Sequence, residues 1–144
     1  MMVNDTSFNL LMSYAYLGKK DSEFLEYIEE QSRQGKMDIM IDSGAFTKRT
    51  MELKGSHSYD WLTMNSYCSW LNKHKDNFHK YVMLDKVADD VQSKKNYKEM
   101  IARGLNPMYV WTKYDKDIEL LQEATNNNHE ICVAGGYKMD DYMI

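Results

Sequence analysis

Met37-Asp38-Ile39-Met40-Ile41-Asp42-Ser43-Gly44-Ala45-Phe46 sets a short apolar run directly against an acid, a hydroxyl and a glycine. Residues 37–41 are too few for a helix and are bounded by Gly35 and Gly44, so the run predicts a strand that ends in a tight turn. Upstream, Phe24, Leu25, Tyr27 and Ile28 recur at helical spacing behind a candidate cap at Ser22, and Gly35 stops that helix. Further back, Leu10 to Ala15 is a second apolar run, separated from the helix by the turn at Gly18. Downstream, a polar loop through Lys54-Gly55-Ser56 leads to a helix from Asp60 to about His74, a strand at Tyr81–Leu84 and a helix over Val91–Arg103. Gly104 and Pro107 close that helix; Met108–Trp111 is the next strand, Asp117–Thr125 the next helix and Ile131–Ala134 the last strand. Strands that are apolar on consecutive positions are the habit of parallel sheets covered on both faces. The chain therefore spells alternating βα units, an α/β fold with parallel strands.

A chain of 144 residues suits one domain, here taken as 1–144, with no linker, repeat or low-complexity tract dividing it. Hydrophobic residues at 43% and charged residues at 28% imply a buried core and exclude bulk disorder. A formal charge of −4 is opposite to the basic balance of a non-specific nucleic-acid binder, so any such contact must be local. Cys68 and Cys132 are too few and too far apart for a disulfide framework or a cysteine zinc site. The N-terminus has no signal-peptide pattern, and no stretch approaches the ~18 apolar residues that cross a bilayer, so a cytoplasmic location and no membrane partner are expected.

In either a doubly wound sheet or a barrel, ligands bind at the carboxyl ends of the strands. Three such ends are unusual: Asp42-Ser43-Gly44-Ala45-Phe46, Asp85-Lys86 and Gly135-Gly136-Tyr137. A carboxylate there can accept hydrogen bonds from an N–H-rich ring or take a proton, and glycines let backbone approach a flat ligand. Each also has a plain structural reading. Asp42 can be a turn-former, Asp85 a cap for the following helix and Gly135-Gly136 a simple turn. Trp111, ending the fourth strand, is a candidate pocket wall.

Residues 41–46 resemble the Asp-Ser-Gly-Gly/Ala-Phe signature of the tRNA-guanine transglycosylase superfamily, especially its phage and archaeal branch acting on 7-deazaguanine in DNA. The likeness extends through Leu11-Met12-Ser13-Tyr14-Ala15-Tyr16-Leu17, Tyr81 to Asp89, Asn96 to Pro107 and Val133-Ala134-Gly135-Gly136, covering roughly Leu10 to Tyr137. It implies part of a (β/α)₈ TIM-like barrel and exchange of guanine for a deazaguanine in DNA or tRNA, with the host cytoplasm as location if the protein is viral. On that pattern Asp42 is the catalytic proton-transfer or recognition group and Asp85 bonds the guanine edge. Ser43, Gly44, Gly135 and Gly136 line the base site, and Phe46 or Tyr137 stacks on it, although Phe46 can equally be a core residue. The family's nucleophilic Asp, beyond its Gly-Gly loop, has no counterpart in this chain, and the zinc cluster of the tRNA branch is absent, so no cofactor or metal is implied. A full barrel takes about 250 residues, so a split or truncated member is expected, with a partner chain or self-association covering open sheet edges. A non-catalytic nucleobase-binding or scaffold protein is the alternative, and an unrelated flavodoxin-like domain a third.

The remaining candidates read as structural. His57, His74, His79 and His129 share no metal spacing. Lys73, His74, Lys75, His79 and Lys80, like Lys94, Lys95 and Lys98, read as solvated charge. Trp61 and Trp70 suit packing, and Gly18-Lys19-Lys20 is a turn rather than a phosphate loop.

Overall fold

The computed structural model describes residues 8–19, 22–78, 80–112, 118–127 and 130–133. Its first ladder is β1 (Phe8–Ser13) beside β2 (Met37–Asp42), parallel and in register from Phe8↔Met37 to Ser13↔Asp42. The strand β3 (Lys80–Tyr81) joins the other side of β2 through Met40↔Lys80 and Ile41↔Tyr81, which makes β2 central. Four helices accompany these strands: α1 (Tyr14–Leu17), α2 (Ser22–Arg33), α3 (Ala45–Leu53) and α4 (Met64–His74). The chain divides into two compact units between Tyr81 and Val82. In the second unit Val82 bridges Met108 in parallel, α5 (Asp90–Ala102) leads to β4 (Tyr109–Trp111), and α6 (Glu119–Asn126) leads to β5 (Ile131–Val133), parallel to β4. The protein is thus mixed α/β with parallel strands, which among the described residues make one three-stranded and one two-stranded sheet. The described strands form no closed barrel.

The core of the first unit follows from the alternation of side chains along a strand. Ile39 and Ile41 lie on the face that α2 packs against and are fully buried. Tyr14, just past β1, is the hub of an aromatic cluster, with ring centroids 5.2 Å from Trp61, 5.0 Å from Tyr67 and 5.2 Å from Trp70. Both tryptophans therefore pack, as expected. Beneath them, the buried Glu29 of α2 accepts a hydrogen bond from the side-chain amide of Asn77 and meets the His74 ring at 3.3 Å.

The opposite face of this sheet departs from the sequence reading. Asn9, Leu11 and Ser13 share it with Asp38, Met40 and Asp42, and Leu11 is 62% exposed. Double coverage was expected from consecutive apolar letters, but those letters do not say which side a neighbouring element occupies.

Element boundaries differ where side chains compete with the backbone pattern. Strand β1 ends at Ser13 rather than Ala15 because the Ser13 hydroxyl accepts the Ala15 N–H at 3.1 Å and caps α1. Helix α4 begins at Met64 rather than Asp60, since Thr63 and Ser66 exchange side chain-to-backbone hydrogen bonds in a capping box. The strand expected over Tyr81–Leu84 shortens because Leu84 turns to α5: its N–H meets Met100 Sδ at 3.3 Å and its carbonyl accepts from Asn96 at 2.9 Å. Helix α3 was not anticipated at all.

Gly44, between β2 and α3, has φ +85°, and a Cβ there would lie 2.6 Å from Ala15 Cβ and 2.9 Å from Ala15 N. Gly35 has φ +73° with nothing near its missing Cβ. Left-handed backbone costs a residue with a side chain about 1–2 kcal/mol, so Gly35→Ala is expected to lose about that much. Gly44→Ala carries the collision as well and is expected to lose at least about 3 kcal/mol. Urea denaturation of both variants checks this; equal losses would mean that the Gly44–Ala15 approach is not close.

Candidate functional site at the carboxyl ends of the strands

Asp42, Ser43 and Gly44 act together at the β2–α3 junction. The Gly44 N–H donates to Asp42 Oδ2 at 3.2 Å, an Asx turn, and the Ala45 N–H donates to Ser43 Oγ at 3.2 Å. Ser43 is 1% exposed, so its hydroxyl is spent on this turn and is not open to a ligand. Burial pushes the Asp42 carboxyl above its ordinary range, opposed by the backbone N–H groups of Gly44 and Ser43. The residue thus combines a structural role, holding Gly44, with a carboxyl that keeps its proton longer than a surface aspartate. Phe46 is 71% exposed in the first turn of α3, which removes the core alternative for that ring.

Beside this junction, at the end of β1, opens a cleft of about 370 Å³ lined by Ser13, Ala15, Tyr16, Lys19, Thr47 and Tyr59. Ser13 is the register partner of Asp42, and Ala15 is the residue that Gly44 abuts, so cleft and junction share a wall. Lys19 Nζ donates to the Ser58 carbonyl at 2.7 Å and sits 4.7 Å from the Tyr59 ring centroid and 5.3 Å from that of Trp61. Sequence reading took Gly18-Lys19 for a turn, which it is, and missed the cleft. The signal is spread over three segments, 13–19, 47 and 59, that only the fold brings together.

Asp85 and Trp111 belong to the second unit. The cap of α5 is Asp89, whose side chain accepts the Gln92 N–H at 3.0 Å, so Asp85 does not fill that role. Its neighbours are held from both sides. Leu84 is tied to Asn96 and Met100, while the Ser93 hydroxyl accepts the Lys86 N–H at 2.8 Å and donates to the Lys86 carbonyl at 3.1 Å. Ser93, Asn96 and Met100 thus form one stripe of α5 that fixes the backbone around Asp85. Ala88, three residues on, has φ +62°, a strained value for a residue with a side chain. Trp111 ends β4 opposite Val133, and its indole N–H is buried without a hydrogen-bond partner among the described residues. Gly135, Gly136 and Tyr137 lie outside the described residues, as do His79 and His129.

Among the described residues no group of three or more His, Cys, Asp or Glu could hold a metal ion, and no helix is long and apolar enough to cross a membrane. His57 pairs with Asp60 at 3.2 Å on the surface and His74 with Glu29. Neither protein-family models nor curated proteins nor solved structures give a match to this chain.

The raised Asp42 pKa makes a signed prediction. Between its unfolded value near 3.8 and its higher folded value, the folded state holds more protons, so this residue's contribution to stability falls as pH rises through that window. Asp42→Asn keeps an acceptor for Gly44 and removes the titration. The stability of the Asn variant relative to wild type is expected to climb as pH rises through that window and then to level off. Denaturant melts from pH 3 to pH 7 check it; a relative stability that stays flat or falls contradicts the burial of the carboxyl.

Proposed function

We propose that this chain is a guanine transglycosylase-like protein that binds guanine or a 7-deazaguanine at the carboxyl ends of its parallel strands and exchanges that base in DNA or tRNA. The observation that carries the reading is Asp42, a proton-retaining carboxyl at the end of the central strand, set on a glycine turn too tight for any side chain. A carboxyl in that setting can protonate a departing purine or pair with its N–H edge. The grip of Asn96 and Met100 on the Asp85 loop supports the same reading, because both belong, with Gly104, Leu105 and Pro107, to the pattern by which the segment 96–107 resembles the superfamily. Asp85, Trp111 and Phe46 are further candidate base contacts on the resemblance alone.

The finer architecture is part of the same proposal: the strands are a portion of a TIM-like barrel, and the face bearing Asn9, Leu11, Asp38 and Met40 is its lining. That face is exposed, which supports a partner chain or a second copy that covers it.

A second reading, base binding without exchange, rests on the same buried carboxyl, since pairing with a purine's N–H edge needs no proton transfer to a departing base. Labelled guanine incubated with guanine-containing DNA or with tRNA separates the two. Exchange predicts label in the polymer, lowered at least about 100-fold by Asp42→Asn. Guanine binding without incorporation selects the binder, and no guanine binding at millimolar concentration ends both.

A further inference from the structure

We propose that the cleft at the end of β1 is a binding site for a nucleoside monophosphate, with its phosphate on Lys19 and its base against Tyr16. Among the described residues that line it, Lys19 is the only charged side chain. The cleft therefore selects an anion. Its ammonium is already positioned by the Ser58 carbonyl and by the rings of Tyr59 and Trp61. One of its three N–H donors is used by Ser58, which leaves donors for phosphate oxygens without a further search of rotamers. The hydroxyls of Ser13 and Thr47 add two polar groups of the kind that bond phosphate. Ser13 Oγ spends an acceptor position on Ala15, and its O–H can still donate.

The remaining lining is flat and apolar. Tyr16 is half exposed and braced edge-on by Phe24, with ring centroids 6.0 Å apart at 86°, so one ring presents a supported face. A planar base stacks on such a face with little regard to its identity. A volume of about 370 Å³ admits one nucleotide unit and not a long polymer segment. Ion and ring together thus describe a mononucleotide rather than free phosphate or a free base. The inference stands on the cleft alone and does not require base exchange at Asp42.

Calorimetric titration of the full chain with guanosine and adenosine monophosphates, the two nucleosides and inorganic phosphate tests it. Both monophosphates are expected to bind within about 3-fold of each other and at least about 10-fold more tightly than their nucleosides, one good charge-assisted contact's worth. Lys19→Met keeps the stem against the rings and should erase the phosphate advantage, Lys19→Arg should retain it, and Tyr16→Leu should weaken nucleotides and nucleosides alike. Equal binding of nucleosides and monophosphates, an advantage that survives Lys19→Met, or inorganic phosphate binding as tightly as the nucleotides would each overturn the proposal. So would binding of the guanine nucleotide alone that disappears in Asp42→Asn. Label exchange is read separately, so either proposal can fail without the other.

Discussion

The contact between Gly44 and Ala15 is the constraint on which the first unit is built. Two parallel strands in register over six pairs end level with each other at Ser13 and Asp42, and each then turns at once into a helix. Two such turns at adjacent strand ends compete for the same space. Removing one side chain and adopting a left-handed backbone at Gly44 resolves the competition, while Asp42 and Ser43 hold the turn through the N–H groups of Gly44 and Ala45. Cleft, turn and carboxyl are therefore one construction, because Ser13 and Ala15 wall the cleft and also abut Gly44.

The second unit solves a similar problem without glycine. Past the Val82–Met108 bridge, the backbone N–H and carbonyl of Leu84 and of Lys86 are taken up by side chains on one face of α5. Ser93 serves both the N–H and the carbonyl of Lys86, so a single hydroxyl replaces two ladder bonds. The strained Ala88 follows within the same loop. Strain of this kind persists where surrounding contacts over-determine the backbone, and here the contacts are named.

Much of this was legible in the letters. The alternation of short apolar runs with amphipathic ones located five strands and most helices, and parallel pairing followed from the βα repeat. Asp42 as a turn-former was visible from Asp-Ser-Gly. What escaped was whatever depends on side chains reaching across segments. Helix α3 was hidden because Ala45 to Leu53 carries charges on a mostly polar surface. The start of α4 hung on a Thr63–Ser66 exchange rather than on apolar spacing. Asp89 and Asp85 looked equally able to cap a helix, and only geometry separates them. The cleft drew on Lys19, Thr47 and Tyr59, residues with no local pattern in common. The exposed sheet face was concealed by methionine and leucine, which read as core wherever they stand.

Met100 carries one more consequence. Its sulfur takes the Leu84 N–H in a fully buried position, so a peroxide cannot reach it while the second unit is closed. Sulfoxide formation there needs the helix to lift from the loop, and the polar, chiral product would not fit back against the same amide. The rate at which this one thioether oxidises is thus a clock for the opening of the loop that holds Asp85, built into the chain without any added label.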